Sequence, residues 1–117
     1  MKLVNLTRNT VLADTAEVAG TWFSRLKGLM FRKGLADGHS LVLVPCSSVH
    51  SCFMRFNIDL LFVDRAGTVV YLTEDMPPFR FSPLIREAGF IVELPSGTIR
   101  LTGTCLNDRL NLTADML

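Results

Sequence analysis

A small, mainly β fold of the α+β class is predicted, an antiparallel sheet or partly closed β-barrel with one or two short helices. Three observations predict it. Met54, Phe56, Ile58, Leu60 and Phe62 are apolar at every second position, the period that turns one face of a strand into a core. Turn signals at residues 64–67 and 95–97 join alternating segments as hairpins rather than through helical crossovers. After Thr21 the period changes, with Trp22, Leu26, Leu29 and Met30 at i, i+4, i+7 and i+8, one face of a helix.

Each element follows from local chemistry. Residues 2–6 and 10–12 read as two short strands around a polar Thr-Arg-Asn break. Thr21 is placed to cap a helix whose apolar face should be buried, and Gly28 marks a close approach of another backbone or the end of that helix. Residues 34–38 form a loop. Residues 41–44 are a β-branched run closed by Pro45, the mark of a buried strand. Residues 54–63 make the longest strand, residues 64–67 turn, and residues 68–72 return. Three prolines make residues 74–83 an extended loop. Residues 90–94 and 98–102 alternate about a Pro-Ser-Gly turn as a second hairpin. A last strand at residues 110–112 follows an Asn107-Asp108 turn. About seven strands result, without an internal repeat.

The chain has 117 residues, 49% of them hydrophobic, with 12 basic against 11 acidic residues and a mean hydropathy of +0.34. One domain over residues 1–117 is expected, burying roughly 66% of its unfolded surface. Disorder is excluded by the apolar content and low charge. The charge balance argues against a dedicated nucleic-acid binder, while leaving room for a local basic patch. No apolar run approaches the ~18 residues of a membrane span, and the first twenty lack the core of a signal peptide. With an odd number of cysteines, these features predict a cytoplasmic protein without a disulfide framework or membrane partner.

Four motifs, in order, carry a resemblance: Gly28-Leu-Met-Phe-Arg32; the run from Pro45-Cys-Ser-Ser-Val-His50 through Asp64, with Gly67; Glu93-Leu-Pro-Ser-Gly97; and Asn107-Asp108. Over nearly its whole length the chain resembles the family named domain of unknown function 192, uncharacterised conserved proteins of bacteria and archaea. The resemblance implies a small β domain and brings no activity, cofactor or catalytic residue. The chain departs from the family pattern at Asn107, where glycine is usual and where asparagine is the next best residue for a left-handed turn. It departs again at Cys52, where an aromatic residue is more frequent.

Cys46, His50 and Cys52, with Cys105, are soft ligands of the kind zinc or copper(I) prefers. Their Cys-x3-His-x-Cys spacing is unlike the paired Cys-x-x-Cys knuckle, and His50 and Cys52 share parity with core residues Met54 and Phe56. A buried histidine and thiol is therefore the favoured reading over a metal site, a redox thiol or a Cys46 nucleophile with His50 as base. No Gly-x-Ser-x-Gly elbow, P-loop or dinucleotide fingerprint occurs.

Basic residues concentrate instead: Arg25, Lys27, Arg32, Lys33 and Arg55 fall within residues 21–57, where Asp37 is the only acid. Trp22, Phe31, Phe53 and Phe56 are interleaved with them. This composition suits stacking together with phosphate or carboxylate contact. Arg55 and Asp59 share a strand face about 13 Å apart, so each needs another partner; Arg32 opposite Asp59 and Glu93 opposite Arg55 are the expected pairs. Asp64 and Asp108 are read as turn formers.

These features predict a noncatalytic binding module in which Arg32, His50, Arg55, Asp59 and Arg80 hold a small anionic ligand or a partner segment. No catalytic residue, metal or cofactor is assigned. A metal- or thiol-dependent enzyme centred on Cys46, His50 and Cys52 is the alternative. A protein-interaction subunit or homodimer is the second, motivated by the high hydropathy of so small a chain.

Overall fold

A computed structural model describes residues 1–113. The described residues form eight strands in two sheets, with two short helices. The smaller sheet has the order β2-β1-β8, where β1 is Lys2–Asn5, β2 is Thr10–Ala13 and β8 is Leu110–Thr113. The larger has the order β3-β4-β7-β5-β6, built from β3 (Thr15–Ala19), β4 (His39–Leu43), β5 (Ile58–Val63), β6 (Val69–Met76) and β7 (Phe90–Pro95). Neither sheet closes into a barrel, and the mainly β class is as the sequence predicts.

The β5–β6 hairpin turns where expected: the Asp64 carboxylate accepts the N–H groups of Ala66 and Thr68 at 2.9 Å. Gly67 has φ +91°, and a Cβ there would lie 2.9 Å from the Leu110 carbonyl oxygen, so only glycine fits. Asn107 adopts φ +72°, the left-handed turn expected of it.

Five local expectations are corrected. Strand β6 runs on through Met76, ahead of the first proline at Pro77, so the loop expected at residues 74–83 starts only after it. Strand β3 was not foreseen, and it pairs with β4 in parallel; parallel neighbours need a crossover connection, and this one carries helix α1 (Trp22–Lys27). Residues 98–102 form helix α2 (Thr98–Thr102) rather than a strand. Five alternating residues cannot separate a strand from one helical turn, and Gly97 and Gly103, both left-handed, bound this one. Strand β5 begins at Ile58, so Met54 and Phe56 precede it in irregular backbone. Finally, α1 buries none of its residues; Trp22 is 71% exposed and Leu26 47%. Its expected cap is present, with Thr21 Oγ accepting the Ser24 N–H at 3.1 Å and Ser24 Oγ accepting the Thr21 N–H at 3.0 Å, a reciprocal capping box.

The core lies on both sides of the larger sheet. One face, with Val42, Leu61, Val92 and Leu94, packs with Leu3, Leu12 and Leu110 of the smaller sheet and with Ile99 of α2. The other, with Leu41, Leu43, Leu60 and Ile91, is covered by Leu29, Met54 and the irregular segments around them. No helix among the described residues is long and apolar enough to cross a membrane.

Candidate functional site

Strand β7 runs through the middle of the larger sheet, with Glu93 opposite Leu41 on one side and Leu60 on the other. The direct neighbours of this carboxyl are thus aliphatic. Glu93 is 2% exposed, and among the described residues it makes no hydrogen bond or close ion pair. Burial pushes its carboxyl up to about 8, with the Arg32 charge pulling weakly the other way. At neutral pH Glu93 is therefore a protonated acid, a hydrogen-bond donor and acceptor with no partner. Native proteins pair nearly all buried polar groups, and Glu93 is an exception.

Above Glu93 lies a groove of about 390 Å³, walled by α1 on one side and by residues 46–54 and 81–82 on the other. Leu26, Leu43, Val49, Met54 and Phe81 give it an apolar lining, while Arg25, Lys27, His50 and Ser82 add polar groups. Gly28, just past α1, allows the backbone to come down onto the floor: a Cβ there would sit 3.0 Å from Glu93 Oε1.

The walls are fixed by hydrogen bonds from side chains the sequence had singled out. His50 Nδ1 accepts the Cys52 N–H at 3.1 Å, which leaves Nε2 to donate to the Leu26 carbonyl at 3.2 Å. That carbonyl belongs to the last turn of α1, where helix carbonyls lack internal partners, so His50 clips the helix to the opposite wall. Arg25 donates to the Gly20 carbonyl at 2.9 Å. Burial pushes the Cys46 thiol up from its ordinary value, and its S–H donates to the Ser48 carbonyl at 3.1 Å. Cys46 and His50 both line the groove, with both His50 nitrogens engaged by backbone groups, whereas Cys52 is not among its lining residues. Among the described residues, no group of three or more His, Cys, Asp or Glu side chains is placed to hold a metal ion.

The five residues singled out in the sequence are not brought together. His50 lines the groove. Arg32 lies near enough to act on Glu93 electrostatically, but its contact is with Glu17 at 3.2 Å. Arg55 and Arg80 are exposed, and Arg80 donates to the Phe79 carbonyl at 3.4 Å. Asp59 occupies the opposite face of the sheet, fully buried, accepting the N–H groups of Asp75 at 2.8 Å, Gly97 at 3.1 Å and Ile99 at 2.9 Å. It fastens the start of α2. The expected pairs of Arg32 with Asp59 and Arg55 with Glu93 do not form; Arg32 pairs with Glu17 instead. Glu93 itself was missed as a site residue, although a lone acid inside the run Phe-Ile-Val-Glu-Leu-Pro is a legible signal.

Comparisons with known proteins agree with this architecture. The model of the family DUF192, described as Uncharacterized ACR, matches residues 4–112. A UPF0127 protein of Pyrococcus furiosus is 35% identical over 114 residues, covering 92% of this chain and 95% of its own. Another from Thermococcus sibiricus is 30% identical over 115 residues, covering 93% and 73%. Among solved structures, a protein of unknown function from Novosphingobium aromaticivorans superposes with a TM-score of 0.85 at 21% identity, over 96% of this chain and 84% of that one. It shares the fold.

Proposed function

Because the chain belongs to the DUF192 family, a membership that brings a fold and no activity, we propose from its own side chains that it is a noncatalytic binding module for a small organic anion. The observation that carries this reading is Glu93: a buried carboxyl without a protein partner on the floor of an apolar groove. The ligand's apolar body packs against Leu26, Val49 and Met54. Its charge is met by Arg25 and Lys27 on α1, cations that suit a carboxylate or phosphate. Glu93, protonated, donates to an acceptor oxygen at the inner end, and His50 holds the wall in place. Small-molecule sites commonly join an apolar lining to a few convergent polar groups in this way.

Trp22 is the only tryptophan and lines the groove, so its fluorescence reports occupancy. Titration with hexanoate is expected to give a saturable change that is at least tenfold weaker in Glu93→Leu and in Arg25→Ala/Lys27→Ala. In the wild type it should weaken as pH rises past about 8, where Glu93 ionises, loses its donor and repels the anion. Native mass spectrometry of freshly purified protein, set against the denatured mass, shows whether an organic ligand is retained. Equal hexanoate responses from the wild type and Glu93→Leu would overturn the proposal.

A further inference from the structure

Beside the groove, three phenylalanines are displayed rather than buried. Phe31, Phe53 and Phe79 are 59%, 53% and 57% exposed. Phe31 stacks on Phe53 at 5.6 Å between centroids, and Phe53 meets Phe79 edge-on at 5.5 Å. All three have left-handed backbones, with φ of +65°, +62° and +60°, a conformation that costs an ordinary residue about 1–2 kcal/mol. Hydrogen bonds hold these backbones: the Phe31 N–H donates to the Phe53 carbonyl and the Phe79 N–H to the Ser51 carbonyl, both at 3.0 Å. A fold that gained only burial from these rings would not present them outward on strained backbone; strain of this kind concentrates at functional sites.

Cations follow each ring in the chain: Arg32 and Lys33 after Phe31, Arg55 two residues after Phe53, and Arg80 directly after Phe79. Lys33 and Arg55 are exposed and have no ion pair among the described residues. The near-neutral total charge conceals this gathering. The motif is a ring followed by a cation, three times over. Its complement is a polymer with one flat π face and one negative charge in every unit. We infer that the Phe31–Phe53–Phe79 stair is a docking surface for single-stranded nucleic acid. Bases stack on the rings, and phosphates meet Lys33, Arg55 and Arg80. Base-on-ring stacking tolerates any sequence. A duplex, with its bases already stacked on one another, offers the rings nothing.

Fluorescence anisotropy of labelled dodecamers, oligo(U) and oligo(dT), tests this on the whole chain. Saturable binding is expected, weakening about 20- to 50-fold between 50 and 200 mM salt, as release of counterions from three to four phosphates predicts. Phe53→Gly suits φ +62° and so preserves the fold while deleting the central ring; it should weaken binding at least tenfold with an unchanged circular dichroism spectrum. Phe53→Leu keeps the bulk without the π face and should weaken it nearly as much. Lys33→Ala/Arg55→Ala should reduce the salt slope. Absence of binding overturns the inference. So does a duplex or polyglutamate that binds as tightly as the single strand, which would assign the surface to polyanions or acidic proteins instead.

Discussion

The two faces of the larger sheet each bury a carboxyl, and they treat it in opposite ways. Asp59 on β5 accepts three backbone N–H groups and ties down α2. Glu93, on the neighbouring strand β7 but the other face, has none. Hydrogen bonds that satisfy a buried acid make it part of the framework, and the face it serves is closed by a second sheet. An unsatisfied acid detracts from stability, and the face around Glu93 is covered by irregular segments carrying Leu29 and Met54 beside a six-residue helix that buries nothing. One face completes the fold; the other keeps an opening in it.

Substitutions at the two acids should therefore have opposite signs. The largest effect is expected from Asp59→Ala, which leaves three backbone donors without their acceptor, that of Ile99 fully buried: about 3–5 kcal/mol of stability lost in urea unfolding. A loss below ~1 kcal/mol would show that the two faces do not differ as described. Glu93→Gln should instead stabilise the protein, by up to about 4 kcal/mol near pH 8. Burial pushes the folded carboxyl up to about 8 from the 4.5 of a solvated glutamate, so between these values the unfolded chain has released a proton that the folded one retains. Wild-type stability from this group is complete below about 4.5, declines as pH rises and levels off above 8; in Glu93→Gln that decline should vanish. A parallel pair of pH–stability curves would refute the assignment. The smallest effect sharpens the contrast from the closed side, where Ser40 Oγ is the one sealed side-chain atom without a partner among the described residues. Ser40→Ala should gain about 1 kcal/mol and leave the hexanoate titration unchanged.

What the sequence revealed tracks how local the cause was. The Asp64–Gly67 turn and the Thr21 cap depend on side chains reaching nearby backbone, the left-handed Asn107 on a residue type that tolerates that conformation, and each was legible. Strand β3 was not, because Thr-Ala-Glu-Val-Ala has little apolar signal and its place is set by pairing with β4. Helix α2 was misread because its start is fastened by Asp59, 38 residues from Gly97. At the site, His50 could be singled out as a polar group near core residues, but not that it would clip Leu26. Glu93 was overlooked because a single acid in an apolar strand becomes informative only once its partners are known. The ring-cation composition was visible; that three of its rings would meet outside the core was not.

The position of β1 between β2 and β8 has a kinetic consequence. Its partner on one side arrives within a few residues, whereas on the other it must wait for β8, and Asn5 bonds Asp108 across 103 positions of chain. Closing a loop of that length costs roughly 4 kcal/mol in entropy before any contact repays it. Folding dominated by such distant pairings is slow. During synthesis the smaller sheet can only be completed after the larger has emerged, so the cover that Leu110 adds over Leu61, Val92 and Leu94 is missing until β8 docks, an interval in which that face is open to aggregation.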